Sequence, residues 1–270
     1  MRPDIGIIGG SGFYEFLSDS ETVHVETPFG KPSAAISIGA VGGRLVAFIP
    51  RHGKNHEFAP HRVNFRANLW ALRSLGVRQV LAPCAVGALA AERGPGDLVV
   101  PDQVVDRTWG REHTVYGEEG PVVHISFAEP YCPRLRAAYL QAAAGLPVSG
   151  TGTLVVINGP RFSTKAESLW HRSIGGTVVG MTGMPEAALA RELAMCYATI
   201  CLVTDHDAGV DGQEAVNHAD VLQEFGKNIG KLKELIRKVV AVIPEPEHDA
   251  WARCSCRRVL DGMKLPFELP

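Results

Sequence analysis

Ile5-Gly6-Ile7-Ile8-Gly9-Gly10-Ser11-Gly12 is a short apolar run that empties into a glycine turn. Runs of this length bounded by turn residues suit strands buried on both faces. A strand entering such a turn invites a dinucleotide-binding reading, and the residues refuse it. Gly10-x-Gly12 fits, but the third position holds Glu15, where close helix packing wants Gly or Ala. The second strand-like run, Leu45–Ile49, ends in Pro50-Arg51-His52-Gly53 rather than in the acid that would hold a ribose hydroxyl. An Arg–His pair at a strand end suits an anion. Ser11 on one turn and Arg51-His52 on the next form two walls of an oxyanion pocket, since backbone amides, a hydroxyl and a guanidinium are what such an anion needs.

Outward from this start the pattern repeats. Strand-like runs fall at Ile5–Ile8, Leu45–Ile49, Gln79–Val86, Leu98–Val105, Val122–Ser126, Thr153–Ile157, Thr177–Met181 and Thr199–Thr204. Amphipathic stretches lie between several of them: His61–Leu75, Pro133–Ala144, Thr164–Ile174, Pro185–Cys196 and Ala219–Val242. Two of these open on Pro, which is pre-organised for a first helical position. Strands alternating with helices argue for an α/β fold, one central mixed β-sheet flanked by helices. The 270 residues contain no repeat and no Ser/Gly linker, so a single domain, 1–270, is expected. The bend Ile243-Pro244-Glu245-Pro246 sets off a C-terminal tail, 247–270.

With 46% hydrophobic and 21% charged residues the chain has an ordinary globular balance, so disorder is excluded. Lys plus Arg number 27 against 29 acids, and a nucleic-acid binder would show an excess of base. No apolar run approaches a membrane span, and no signal peptide opens the chain, so a cytoplasmic protein is expected. Cys84, Cys132, Cys196 and Cys201 read as buried thiols. Cys254-Ser255-Cys256 lacks two further ligands at metal-site spacing, so no metal is expected and the two read as thiols open to oxidation.

Several further stretches carry a resemblance. These are Thr27-Pro28-Phe29-Gly30, Arg51-His52-Gly53, Val63-Asn64-Phe65-Arg66-Ala67-Asn68, Glu129-Pro130-Tyr131, Gly159-Pro160-Arg161-Phe162-Ser163, Met181-Thr182-Gly183-Met184-Pro185-Glu186 and Thr204-Asp205-His206-Asp207. In this order, over nearly the whole chain, the sequence resembles the trimeric purine nucleoside phosphorylases, in their methylthioadenosine-cleaving branch. The resemblance implies a nucleoside phosphorylase fold and a pentosyltransferase of nucleoside salvage. Inorganic phosphate is its co-substrate, with no other cofactor, and a small-molecule nucleoside its partner. Phosphate attacks C1′ while the purine leaves, and the leaving base needs a proton at N7.

The same resemblance implies a phosphate site at Ser11, Arg51, His52, Cys84, Ala85 and Thr182. Relatives commonly carry Thr or Asn where this chain has Cys84, and a thiol is a poor donor, so the amide of Ala85 is expected to contribute more. Met181 is expected against the sugar and Phe162 against the purine. Asp205 is expected to donate to N7, with Asp207 in the base-binding network. The paired acids favour a 6-aminopurine, and the alternative is a 6-oxopurine or methylthioinosine phosphorylase. A homotrimer is implied, with His124 and the tail lent by a neighbour. The pocket for the 5′ group is expected at His218, Val221 and Leu222, which helical spacing places on one face. A polar His218 there, where the branch is typically aliphatic, points to tolerance of a 5′-hydroxyl beside methylthio.

Overall fold

The computed structural model describes residues 2–10, 12–13, 16–17, 19–117, 120–212, 215–245 and 253–270. In chain order its strands are β1 (Ile5–Gly9), β2 (Ser20–Val23), β3 (Ile36–Val41), β4 (Arg44–Pro50), β5 (Gln79–Leu81), β6 (Cys84–Ala88), β7 (Leu98–Val99), β8 (Gln103–Arg107), β9 (Val148–Ser149), β10 (Thr153–Ile157), β11 (Val178–Gly180), β12 (Cys196–Ala198) and β13 (Cys201–His206). The helices are α1 (Phe65–Ser74), α2 (Pro133–Ala142), α3 (Lys165–Ser173), α4 (Glu186–Glu192) and α5 (His218–Val242).

β1 is buried throughout and pairs in parallel with β4 on one side and β5 on the other. Its side chains alternate between two core layers. Ile5 and Ile7 join the apolar faces of α2 and α5, whereas Ile8 joins those of α1 and α4. Helices therefore cover both faces, which is why the run carries no polar alternation. Local chemistry sets the helix starts. Asn64 caps α1 by accepting from Ala67 N, and Asn217 caps α5 by accepting from Ala219 N. Thr164 and Glu167 form a reciprocal capping box on α3. Pro133 occupies the first turn of α2, where a missing N–H costs nothing.

The strands form two ladders, β12-β5-β1-β4-β3-β2 and β8-β10-β11-β6-β13-β7-β9. One parallel pair of chain segments joins them. Gln79, Val80 and Leu81 face Cys196, Tyr197 and Ala198 in the first ladder, and Cys84, Ala85 and Val86 face Cys201, Leu202 and Val203 in the second. Between them Ala82 N donates to Ala198 O and Cys84 N to Ile200 O. The single expected strand at 79–86 is thus interrupted at Pro83, which has no N–H to give a ladder. Pro101 likewise divides the expected run 98–105 into β7 and β8. Beyond Val203 a bulge shifts the register so that Asp205 faces Gly87.

Val122–Ser126 is not a strand. Its residues alternate between half-buried and exposed as a strand would, and Val122 is 77% exposed. Among the described residues no strand pairs with it. Pattern alone also passed over β2, β3, β9 and β12, two of them very short and one polar at the sheet edge. The tail segment 253–270 lies against its own chain, where Phe267 packs on Trp70 and Tyr116. Residues 247–252 of the expected tail fall outside the described residues.

Candidate active site

The carboxyl ends of β1, β4, β10, β11 and β13 converge on a cavity of about 240 Å³, with β6 passing alongside. Convergence at strand carboxyl ends is the usual place for a ligand in an α/β sheet. Of the residues singled out in the sequence, Arg51, His52, Cys84, Ala85, Thr182, Phe162, Met181, Asp205, Asp207, His218 and Val221 all line it. They come from six separated stretches of chain. Ser11 lies outside the described residues, although its neighbours Gly10 and Phe13 are at the cavity wall.

At one end sits Arg51, 1% exposed. Its guanidinium is held in a fork by Glu186, with Nε to Oε2 at 2.8 Å and Nη2 to Oε1 at 2.9 Å. Nη2 also donates to Ile8 O and Nη1 to Pro83 O. Burial by itself would lower the affinity of this group for its proton, and Glu186 outweighs that and raises it. Tyr197 Oη donates to the same carboxylate at 2.8 Å. Glu186 is therefore the counter-ion that lets a full positive charge sit beneath the cavity. His52 donates from Nδ1 to Phe58 O at 2.8 Å, which leaves Nε2 unprotonated in the neutral ring. Burial, and then the field of Arg51, depress its pKa to about 4. Cys84 Sγ lies 3.4 Å from Thr199 Oγ1 and 3.5 Å from Cys201 Sγ, so the thiol is engaged with the wall behind it.

At the other end the bulge after Val203 presents the two acids. Thr204 Oγ1 donates to Asp205 Oδ1 at 2.7 Å. Ser168 Oγ donates to Asp207 Oδ2 at 2.6 Å and fixes that carboxylate. Burial, opposed by the Thr204 bond and reinforced by the charge of Asp207, pushes the Asp205 pKa up to about 6. Gly87 makes room for this pair, since a Cβ there would stand 3.3 Å from Asp205 Oδ2. Ser163 Oγ, at the cavity wall, is buried without a hydrogen-bond partner among the described residues.

Between the two ends Met181 lines the cavity, and Arg111 holds it in place. The Arg111 guanidinium donates to Met181 O at 2.9 Å, to Asn158 O at 2.8 Å and to Met184 O, tying the loop after β10 to the loop after β11. Burial lowers its pKa to about 10. The sequence reading assigned nothing to Glu186, Arg111, Ser163, Ser168 or Phe225. Glu186 stood in a quoted motif, but nothing in one dimension pairs it with Arg51.

Two expected residues stand elsewhere. Leu222 is 50% exposed on α5 and outside the cavity lining. The face that α5 turns inward is His218, Val221 and Phe225, because the next residue after 221 is rotated about 100° around the helix. His124 is exposed on the extended segment after Gly120 and does not reach its own chain's cavity. His218 lines the cavity while remaining exposed, so it stands at the mouth. Asn217 and not His218 caps α5. His56 stacks on His52 with ring centroids 4.6 Å apart and lies near enough to His218 to interact with it, so three histidines run from the Arg51 end to the mouth.

A model of the phosphorylase superfamily matches residues 4–241. This chain belongs to the phosphorylase superfamily. Within it, the expected nucleoside phosphorylase fold and pentosyltransferase class are borne out. A purine nucleoside phosphorylase of Streptomyces coelicolor is 54% identical, covering 100% of this chain and 99% of that protein. An S-methyl-5′-thioadenosine phosphorylase of Mycolicibacterium smegmatis is 55% identical over 98% of this chain and 99% of that protein. A solved methylthioadenosine phosphorylase of Schistosoma mansoni in complex with adenine superposes with a TM-score of 0.85 at 40% identity, covering 89% of this chain and 92% of that one. Among the described residues of this phosphorylase, no helix is long and apolar enough to cross a membrane.

Away from the cavity, the structure brings together cysteines that sequence spacing did not link. Cys254 and Cys256 do have partners at ligand distance. The sulfurs of Cys132, Cys196, Cys254 and Cys256 all lie within 4.8 Å of one another.

Proposed function

We propose that this phosphorylase cleaves the N-glycosidic bond of S-methyl-5′-thioadenosine with inorganic phosphate, releasing adenine and 5-methylthioribose 1-phosphate. The observation that carries the reading is Asp205, a carboxyl with pKa about 6 facing into the cavity that Arg51 and His52 close at the other end. A carboxyl poised there holds a proton to give to N7 as the C1′–N9 bond breaks. Asp207, held by Ser168, accepts from the adenine N6 amino group. A 6-oxopurine would set its O6 lone pairs against that carboxylate, which favours adenine. Ser163 Oγ is a further group free to bond the purine.

Phosphate lies under the sugar against Ser11, Arg51, His52, Thr182 and the Ala85 amide. An oxygen of phosphate forms the new bond to C1′ as the bond to N9 is lost. His52 enters neutral, and an arriving phosphate dianion favours its protonation, so Nε2 becomes a donor when the anion is bound. Met181 covers the sugar and Phe162 the base. His218 and Val221 frame the 5′ group at the mouth. The chain acts as one domain of a cytoplasmic homotrimer, in which the exposed segment bearing His124 meets a neighbour's sugar site.

The test is adenine release measured with and without phosphate, across adenosines varied at the 5′ group and inosines as the base control. Phosphate-dependent release from methylthioadenosine, with lesser but measurable release from adenosine, is expected. No release from any 5′-substituted adenosine would refute the reading.

A further inference from the structure

Cys132 is the residue before α2, Cys196 opens β12, and Cys254 and Cys256 share a turn of the tail. Three distant segments thus bring four side chains of one kind to one point. Each segment is pinned by its own backbone. Cys132 N donates to Tyr197 O at 2.8 Å and Cys196 N to Arg78 O at 2.9 Å. Arg257 N and Arg258 N both donate to Cys254 O, at 3.0 and 3.2 Å, closing the turn. All four cysteines are buried and none is in a disulfide.

The spacing of the sulfurs favours a shared ion over pairwise bonds. Cys254 Sγ is 3.7 Å from Cys132 Sγ and 3.6 Å from Cys196 Sγ. Four thiolates around a tetrahedral zinc at Zn–S of about 2.3 Å stand about 3.8 Å apart. A disulfide would need one pair drawn to about 2.05 Å, and Cys254 is placed almost equally between two partners. The donor set is soft and holds no carboxylate or imidazole, which suits zinc over calcium or magnesium. Four protein ligands leave no open position, the mark of a structural site. Arg191, itself buried, adds positive field at Cys256 and offsets part of the charge of a four-thiolate site.

We infer that Cys132, Cys196, Cys254 and Cys256 bind one zinc ion, which fastens the C-terminal tail to α2 and β12. Binding displaces the thiol protons and forms four Zn–S bonds, with no change of oxidation state. The fastened segment then carries Leu265, Phe267 and Leu269 onto the core. On the other side of β12, Tyr197 bonds the Glu186 that holds Arg51, so the ion braces a strand linked to the cavity through Glu186 and Arg51. The inference does not depend on which nucleoside the cavity takes.

The experiment uses the full chain purified under reducing conditions with zinc in the medium. Elemental analysis is expected to find about one zinc per chain, released in step with mercurial titration of the thiols. Exchange for Co²⁺ is expected to produce the thiolate-to-metal charge-transfer bands of a tetrahedral sulfur site. Cys254→Ser or Cys256→Ser should weaken zinc binding by more than about 100-fold, beyond the roughly 10–100-fold loss expected when only an outer partner of a ligand is removed. If these variants do not fold, the cobalt spectrum of the unaltered chain decides alone. Sub-stoichiometric metal with four titratable thiols, or disulfides among the four cysteines of protein kept reduced, would overturn the inference.

Discussion

Asp205 is the residue on which base choice turns. Its carboxyl is raised to about 6, so the proton it would give to N7 is present below that pH and lost above it. Because kcat/KM reports the free enzyme, its profile for methylthioadenosine should fall as pH rises through about 6. The limb should vanish in Asp205→Asn. That variant should also lose about 2–4 kcal/mol of transition-state stabilisation on adenosine-type substrates, and less on inosine, since it removes a proton donor and mismatches a buried pair. Equal losses on both bases would show that Asp205 does not read the purine. At the opposite end, Glu186→Gln leaves Arg51 buried without a counter-ion and should cost about 3–5 kcal/mol in urea unfolding. Converting Arg51 and Glu186 together to methionine should cost less than the two single losses summed. The Arg–His pair was readable from residue type, and the paired acids from the family resemblance. The Arg51–Glu186 fork was not, because 135 positions separate its members.

Among the elements, β13 and α5 shape the site. The bulge after Val203 turns Asp205 out of ladder register, as bulges beside functional sites do, and no feature of Thr204-Asp205-His206-Asp207 announces it. On α5 the periodicity did predict an inward face, but position 222 was included where 225 belongs. Spacings of three and four both satisfy a helix, and only the direction of the packed neighbour selects between them. Val221→Ser, which sets a hydroxyl on the apolar wall, should lower kcat/KM for methylthioadenosine by about 1–2 kcal/mol, whereas Leu222→Ser should stay within about 0.5 kcal/mol. Replacing His218 at the mouth by Val should raise the ratio of methylthioadenosine to adenosine kcat/KM. An unchanged or lower ratio would remove His218 from recognition of the 5′ group.

For the whole molecule, the cavity is walled by strand ends from both ladders. The segment around Val122 and His124 alternates like a strand yet joins no ladder among the described residues, as expected of a surface that meets another subunit. Light scattering at micromolar concentration should give three times the chain mass, with closed threefold symmetry. A monomer with full activity would contradict the trimer and the donated His124 together.

The sequence by itself determined the α/β class, the buried first strand, the exclusion of a dinucleotide fingerprint, and the Arg–His pair at the anion end of the cavity. Those features are local: apolar period, turn chemistry and side-chain function all act within a few residues. Tertiary structure alone decided that Glu186 neutralises Arg51, that Arg111 ties the loops holding Met181, and that burial beside Asp207 lifts Asp205 into the range of a working acid. It also decided that Cys132 and Cys196 meet Cys254 and Cys256. Ion pairs, pKa shifts and ligand clusters depend on distance and burial in space, and the folded chain sets these by bringing together residues far apart in sequence.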